Sequence, residues 1–167
     1  MVKNAALKVT FRMTDDHWAY TQNGDFILDS WKNQLLKWKN SGVQSYIDDG
    51  TLVGHMLLDD IVNFEGHSPD AAELDEMARY SKELFPGLMT YIRQKASEMP
   101  VPTGGTYLYV DACDNQYEAK EGDVEVYAIV EEASAKKLHL GVINGLNIAD
   151  GGDGIYDSGV FLEANSL

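Results

Sequence analysis

The sequence is poor in features that would assign it to a familiar functional class. It has one cysteine, Cys113, which excludes an intrachain disulfide and a zinc site built from several thiolates. Its 13 basic residues are outnumbered by 27 acidic ones, and the formal net charge is −14. Because phosphate neutralisation needs clustered lysine and arginine, we expect neither nucleic acid nor a membrane surface as a partner. No apolar run approaches the roughly 20 residues that span a bilayer.

Two further absences concern cofactors and metals. No Gly-x-Gly-x-x-Gly follows a strand and no Gly-x-x-x-x-Gly-Lys occurs, so nucleotide binding has no motif support. The spacing of Asp150, Asp153 and Asp157 does not fit a calcium loop, and we interpret the segment as a solvated turn. We therefore expect no cofactor and no metal. The first residues show no export signal, which leaves the localisation open.

What is present is an ordinary globular composition around one central stretch. The chain has 167 residues, of which 44% are apolar and 24% charged, enough for a single domain over residues 1–167. Thr51–Asp60 is an almost unbroken apolar run that ends in Asp59 and Asp60. Such a run predicts a strand buried on both faces of a parallel sheet. Acids at its carboxyl end lie where parallel α/β folds place their chemistry.

Four other segments share this pattern of an apolar run with a polar group at its end. The predicted strands and end groups are Ala6–Met13 with Arg12, Gly87–Arg93 with Arg93, Thr106–Ala112 with Asp111, and Leu138–Ile148 with Asn147. Helical segments alternate with them, so we predict an α/β fold with a parallel sheet and right-handed crossovers.

Each predicted helix has a start signal and an apolar stripe that we expect to face the sheet. The stripes are Trp31, Leu35 and Trp38 in Asp29–Ser41; Leu74, Met77, Ala78 and Leu84 in a helix that begins at Ser68-Pro69; and Val126, Val130 and Ala133 in a helix capped by Asp123.

Three stretches together suggest a family. LVGHMLLDD, YLYVDACDNQY and HLGVINGLNIADGG resemble the motifs of bacterial, largely uncharacterised proteins with a glycoside-hydrolase-like (β/α)8 barrel. The resemblance runs from about Ala6 to Gly152. The matching positions are His55, Asp59, Asp111, Ala112, Gln116, Tyr117, Gly145, Leu146, Asn147, Asp150, Gly151 and Gly152, with the helical segment Glu76–Leu84. The family's glutamate after the first aspartate is Asp60 here, which is shorter by one methylene.

The resemblance implies an incomplete TIM-barrel-like fold of about five to six βα units. A complete barrel usually takes about 250 residues, whereas this chain has 167. An incomplete barrel leaves strand edges unpaired, and such edges tend to pair with another chain. We therefore expect a homo-oligomer. The family also looks secreted, although this chain shows no export signal.

The expected catalytic residues are carboxylates at strand ends. Asp60 and Asp111 would form a general acid and a base or nucleophile on either side of a glycosidic bond. Asp59 is a further candidate beside Asp60. Neighbouring residues on a strand point to opposite faces, so at most one of these two side chains points into the mouth of the barrel. The structural alternative is that these acids cap helices or pair with Arg12 and Arg93.

The expected substrate-binding residues are His55, Arg93, Gln116, Tyr117, Asn147, Arg12 and Trp18. The amides suit hydroxyl recognition because they both donate and accept hydrogen bonds. Tyr117 and Trp18 can stack on a sugar ring. His55 is either a buried, hydrogen-bonded histidine or a substrate ligand or base.

These observations favour a glycoside-hydrolase-like domain that acts on carbohydrate. The alternative is a non-catalytic carbohydrate-binding or structural barrel remnant that self-associates. A third hypothesis is a metal-dependent lyase or aldolase with an ion held by Asp59, Asp60 and Asp111.

Overall fold

The computed structural model describes residues 7–61, 64–117 and 122–146. They form a five-stranded parallel sheet in the order β1-β4-β5-β6-β7, a separate hairpin β2-β3, and four α-helices. The strands are β1 Val9–Phe11, β2 Thr21–Gln22, β3 Asp25–Phe26, β4 Leu52–Asp59, β5 Met89–Arg93, β6 Ala112–Tyr117 and β7 Gly141–Leu146. The helices are α1 Leu28–Leu36, α2 Gln44–Asp48, α3 Ala71–Leu84 and α4 Val124–Leu138.

The five sheet strands follow one another in chain order and curl into a half-barrel. Crossovers between parallel strands are right-handed, and a consecutive strand order then places every crossover helix on the same face of the sheet. The convex face carries the helices, and within the described ranges no helix covers the concave face. The predicted parallel α/β fold is therefore confirmed at this level.

The central strand β4 lies between β1 and β5. It was predicted over Thr51–Asp60 and is observed over Leu52–Asp59, which confirms the prediction within one residue at each end. Leu57 and Leu58 are both fully buried although they are neighbours. The pairing with β5 shifts register between Met56 and Leu58, so the usual alternation of faces is interrupted there.

Gly54 lies in the middle of β4, where side chains of the neighbouring strands β1 and β5 come close together on the concave face. A Cβ at this position would lie 2.9 Å from Thr10 Cγ2 and 3.1 Å from Met89 Cε, which leaves no room for a side chain. The Tyr91 hydroxyl donates a hydrogen bond of 2.9 Å to Thr10 Oγ1, joining β5 to β1 across β4. The floor of the half-barrel is thus packed, and the charged residues that end β4 and β5, Asp59 and Arg93, lie at the carboxyl edge.

Helices α1 and α3 cover the convex face as predicted, but α1 ends at Leu36, five residues before the predicted end at Ser41. Trp31 and Leu35 are fully buried, and Trp31 Nε1 donates to the Leu57 carbonyl at 3.1 Å. Helix α3 begins two residues later than predicted, since Asp70 is its N-cap and not Ser68. The reciprocal capping box between Asp70 and Glu73 explains the start. None of the helices in the described ranges has both the length and the apolarity to cross a membrane.

The predicted strand over Thr106–Ala112 is wrong, and β6 begins where that prediction ended. The alternating sequence before it is held by Asp75 of α3 instead. The Asp75 carboxylate accepts backbone N–H bonds from Leu108, Tyr109 and Val110, the shortest of them 2.6 Å. A charged acceptor at this position satisfies the amides that a neighbouring strand would otherwise bind.

The inward face predicted for α4 is also wrong. Asp123 caps the helix as expected, but the residues buried against the sheet are Tyr127, Glu131, Ala135 and Leu138. The Glu131 carboxylate accepts hydrogen bonds from the amide and hydroxyl of Ser97. The buried Glu131 interrupts the apolar pattern of this face, and the helical periodicity on which the prediction depended is therefore concealed. Leu138, predicted to begin the last strand, ends α4, and β7 begins at Gly141.

A buried histidine lies between β4 and the helices. His55 is fully buried, its Nδ1 lies 2.8 Å from Ser81 Oγ, and its ring stacks on Trp31 at 6.1 Å between centroids. Among the described residues its Nε2 has no hydrogen-bond partner. Burial lowers the pKa of His55 from 6.5 to about 3, because a charged ring would lose its hydration there.

This histidine predicts a loss of stability in acid. Between pH 6.5 and about 3 the unfolded chain binds a proton at His55 that the folded chain does not, so the free energy of unfolding decreases as the pH falls through that window. The full effect amounts to several kcal/mol. We expect the double variant His55→Leu with Ser81→Ala to lose less stability than the wild type over this range in denaturant titrations. The control Ser81→Ala keeps the histidine, and an unchanged pH slope in the double variant would contradict the assignment.

Candidate functional site

A row of alternating charges lies along the carboxyl edge of the sheet. Arg12 follows β1, Asp59 ends β4 and Arg93 ends β5. Arg93 Nη1 lies 3.2 Å from Asp59 Oδ1, and Arg12 Nη1 lies 4.0 Å from Asp59 Oδ2. Their side chains are 29–32% exposed, so they are neither buried nor fully solvated. The structural alternative of the sequence analysis, pairing of the acids with Arg12 and Arg93, is confirmed for Asp59.

Asp114 in β6 extends this row to a fourth strand. Burial raises the pKa of its carboxyl above the ordinary value of 3.8; the Arg93 guanidinium lowers this pKa, and the Asp59 carboxylate raises it. Arg93 therefore acts on two carboxylates from neighbouring strands. Asp114 was not among the predicted site residues because the predicted strand ended at Ala112. Once β6 is known to span Ala112–Tyr117, alternation places Asp114 and Gln116 on one face.

A polar hollow of about 170 Å³ opens beside Arg93 and Asp114. Its lining is Asp60, Arg93, Gln94, Lys95, Glu98, Asp114 and Gln116. The structure thus brings together three residues of the predicted site, Asp60, Arg93 and Gln116. Asp60 turns out of the strand with φ of 55°, and its N–H donates to the Arg93 carbonyl at 3.0 Å. We call this cavity the polar hollow.

A second cavity, the aromatic hollow, lies at the same edge between the segments that follow β1 and β4. It measures about 250 Å³ and is lined by His17, Trp18, Thr21, Asn23, Gly24, Phe64 and Glu65. Trp18 is 74% exposed, and its ring lies 4.1 Å from the His17 ring between centroids. An exposed indole next to a second ring offers an apolar surface to a ligand.

Tyr20 connects the aromatic hollow to the row of charges. Its buried ring packs at 6.4 Å from Phe64, which lines the hollow. Burial raises the pKa of Tyr20 to about 12, and Arg12 and Asp59 also act on this hydroxyl with opposite signs. The aromatic hollow and the charged row are therefore neighbours along one edge.

Asp111 does not join Asp60, and this part of the predicted acid–base pair needs correction. It precedes β6 and therefore lies at the amino edge of the sheet. Its carboxylate accepts hydrogen bonds from Lys82 Nζ at 2.5 Å and from the Thr90 amide at 2.8 Å. Asp60, in contrast, bonds to Arg93, three residues further along β5, which corresponds to about 10 Å of strand.

Two other predicted site residues, His55 and Tyr117, are not at the mouth. His55 faces the helices, where a ligand at the concave face does not reach it. Tyr117 packs on Tyr127 of α4 at 5.3 Å, and its hydroxyl donates to the Gly122 carbonyl. Both belong to the convex layer because the strand alternation points them there. Asn147 lies outside the described residues.

The geometry suits recognition of neutral polar groups more than of ions. Two guanidinium groups and two carboxylates alternate in the row, so Arg12, Asp59, Arg93 and Asp114 sum to no net charge when ionised. Within the described ranges, no group of three or more His, Cys, Asp or Glu side chains is arranged to hold a metal ion. The ion site of the third hypothesis also lacks its third ligand, since Asp111 lies at the opposite edge.

Comparisons of the chain with models of protein families, with curated proteins and with solved structures find no match. The resemblance to a glycoside-hydrolase-like barrel family therefore stays a prediction.

We predict that removing each charged neighbour of Asp114 shifts the pKa of its carboxyl in a different direction. Removing the cation that lowers its pKa, in Arg93→Gln, should move the pKa of the Asp114 carboxyl further upward. Removing the neighbouring carboxylate, in Asp59→Asn, should move it downward. Carboxyl-carbon NMR titration of the wild type and both variants measures these shifts.

A matched control for this titration is Asp48→Asn, which changes an exposed carboxylate of α2. It should leave the titration of Asp114 in place. Shifts of the same sign in Arg93→Gln and Asp59→Asn would contradict the arrangement.

Proposed function

We propose that this protein binds a carbohydrate or a similar neutral polyhydroxylated ligand at the carboxyl edge of its sheet. The observation that carries the proposal is the alternating row of Arg12, Asp59, Arg93 and Asp114 beside the polar hollow. A hydroxyl group donates to a carboxylate and accepts from a guanidinium, so neighbouring hydroxyls of one sugar match neighbouring side chains of opposite charge. Because the four charges of the row sum to zero, a ligand without charge leaves no net charge uncompensated at the site.

The aromatic hollow supports the same ligand class. Sugar rings present C–H groups on one face and hydroxyls at the rim, and they therefore combine an apolar surface with polar edges. Trp18 offers the apolar partner, and the amide of Asn23 and the carboxylate of Glu65 lie in the same lining. An oligosaccharide long enough to span both hollows would contact Trp18 at one end and Asp114 at the other.

The half-barrel also supports the proposed relation to TIM-barrel glycoside hydrolases. Parallel strands in chain order, with helices on the convex side and polar groups at the carboxyl edge, are the arrangement of such barrels. This support is an analogy of fold, and one fold hosts many chemistries. We therefore place binding first and hydrolysis second.

Glycoside hydrolysis is the second candidate, and the raised pKa of Asp114 is the observation that favours it. A carboxyl that retains its proton more readily suits a general acid, and Asp59, paired with two arginines, suits the ionised partner. The proposed pair is therefore Asp59 with Asp114, and it replaces Asp60 with Asp111.

Binding can be tested with a panel of neutral mono- and oligosaccharides added to the ¹⁵N-labelled protein. We expect backbone amide shifts at Arg93, Asp114 and Gln116, with more residues affected by longer chains as Trp18 becomes engaged. Asp114→Asn and Arg93→Gln should each weaken binding at least tenfold, since each removes a charge-assisted hydrogen bond worth roughly 1.5–3 kcal/mol.

The control for binding is Asp48→Asn, whose side chain lies on α2 away from both hollows. Shifts confined to other surfaces, or no shifts with any sugar of the panel, would refute the proposed site. Equal binding of anionic and neutral sugars would refute the argument from charge balance.

Hydrolysis is tested separately by release of reducing sugar from the saccharides that bind. If the Asp59–Asp114 pair is catalytic, Asp59→Asn and Asp114→Asn each abolish release, and Asp111→Asn does not. Loss of activity in Asp111→Asn with full activity in Asp114→Asn would support the pair expected from the sequence and sink the pair proposed from the structure.

A further inference from the structure

Helix α4 presents an apolar stripe to solvent on the side away from the sheet. Val126 is 60% exposed, Ile129 66% and Val130 48%, and Ala133 is exposed beside them. These four residues, spaced i, i+3, i+4 and i+7, form one continuous face of the helix. We call them the α4 stripe. The face toward the sheet is occupied by Tyr127, Glu131, Ala135 and Leu138, so the stripe lies outside the core that the described residues form.

An exposed apolar stripe on a helix indicates a contact surface for another molecule. The chain has a formal net charge of −14, which makes such a stripe on an acidic surface more unusual. The order of residues along α4 indicates which molecule covers the stripe.

The α4 stripe is complementary to itself when two copies run antiparallel. In an antiparallel pair centred between Ile129 and Val130, residues whose numbers add to 259 lie opposite one another. Ile129 then faces Val130 of the other copy, and Val126 faces Ala133. Each pair combines a larger with a smaller or similar side chain, which is how helix ridges fill the opposing grooves. A contact of this kind closes after two copies, because the same patch is used on both sides.

The charges at the two ends of α4 match the same register. Asp123 and Glu125 lie at its amino end, and Lys136 and Lys137 lie in its last turn. The centre that pairs the apolar residues also places Asp123 opposite Lys136. An antiparallel pair thus brings the acidic end of each helix to the basic end of the other, and the two helix dipoles oppose as well. A parallel pair would place like charges together.

We propose that α4 is a homodimer contact in which two copies of this chain pair antiparallel through the α4 stripe. This differs from the expectation that unpaired strand edges hold the copies together. It is also independent of the proposed ligand site, because α4 lies on the convex face and the two hollows open at the carboxyl edge. A single helix pair is smaller than a standard interface of about 800 Å² per partner, so the dimer should form reversibly with concentration.

The oligomeric state in solution is the first test. We expect sedimentation equilibrium to show a mass that rises from 18.5 kDa toward twice that value with increasing concentration. Ile129→Lys, which places two cations near the dimer axis, should weaken association at least tenfold. Leu36→Lys is the matched control, because it makes the same change of charge at a residue of α1 that is 41% exposed. A wild-type protein that stays monomeric at every concentration would overturn the proposal, as would equal weakening by the control.

A cross-linking test examines the register and does not depend on a loss of binding. Cysteine is introduced in separate chains at Val126 and at Ala133, while native Cys113 remains buried. The antiparallel register predicts that a mixture of Val126→Cys and Ala133→Cys chains forms disulfide-linked pairs faster than either variant alone. Faster linkage within each variant than between them would overturn the antiparallel arrangement. Circular dichroism melting confirms that each variant is folded.

Discussion

The constraint on which the rest of the structure depends is the handedness of its crossovers. Five parallel strands follow one another in chain order, and right-handed connections then place all crossover helices on one side. The convex face becomes a packed layer in which Trp31, Leu57 and His55 are buried. The concave face keeps its own side chains, and the strand ends bring their charges together. Both proposed surfaces follow from this division, one at the concave mouth and one on the outer face of α4.

The sequence predicted those parts of the fold in which a single physical signal dominates. The unbroken apolar run of β4 predicted that strand within one residue at each end, because burial on both faces leaves few alternatives. The predictions were wrong where a polar side chain distant in the sequence supplied the hydrogen-bond partner. The alternating segment before β6 has strand periodicity, but Asp75 of α3 satisfies its amides. Similarly, Glu131 of α4 is buried because Ser97 donates a hydrogen bond to it, and no local sequence pattern predicts that bond.

The candidate site shows the same limit. Arg12, Asp59 and Arg93 were expected at strand ends, and the structure joins them in one ion-pair row. Asp114 takes the place at the carboxyl edge that was expected for Asp111, because the β6 prediction was displaced along the chain. A displacement of five or six residues moves a side chain from one edge of a sheet to the other. Predicted residue identities at a site are therefore only as accurate as the bounds of the strands that carry them.

The hydrogen bonds to Asp75 have a consequence for local opening of the chain. The amides of Leu108, Tyr109 and Val110 all donate to one carboxylate, whereas amides in a strand each have their own carbonyl partner. Detachment of that one side chain would expose all three amides at once. The segment between β5 and β6 would then exchange its amide protons with water as a single unit, at a free energy below that of global unfolding.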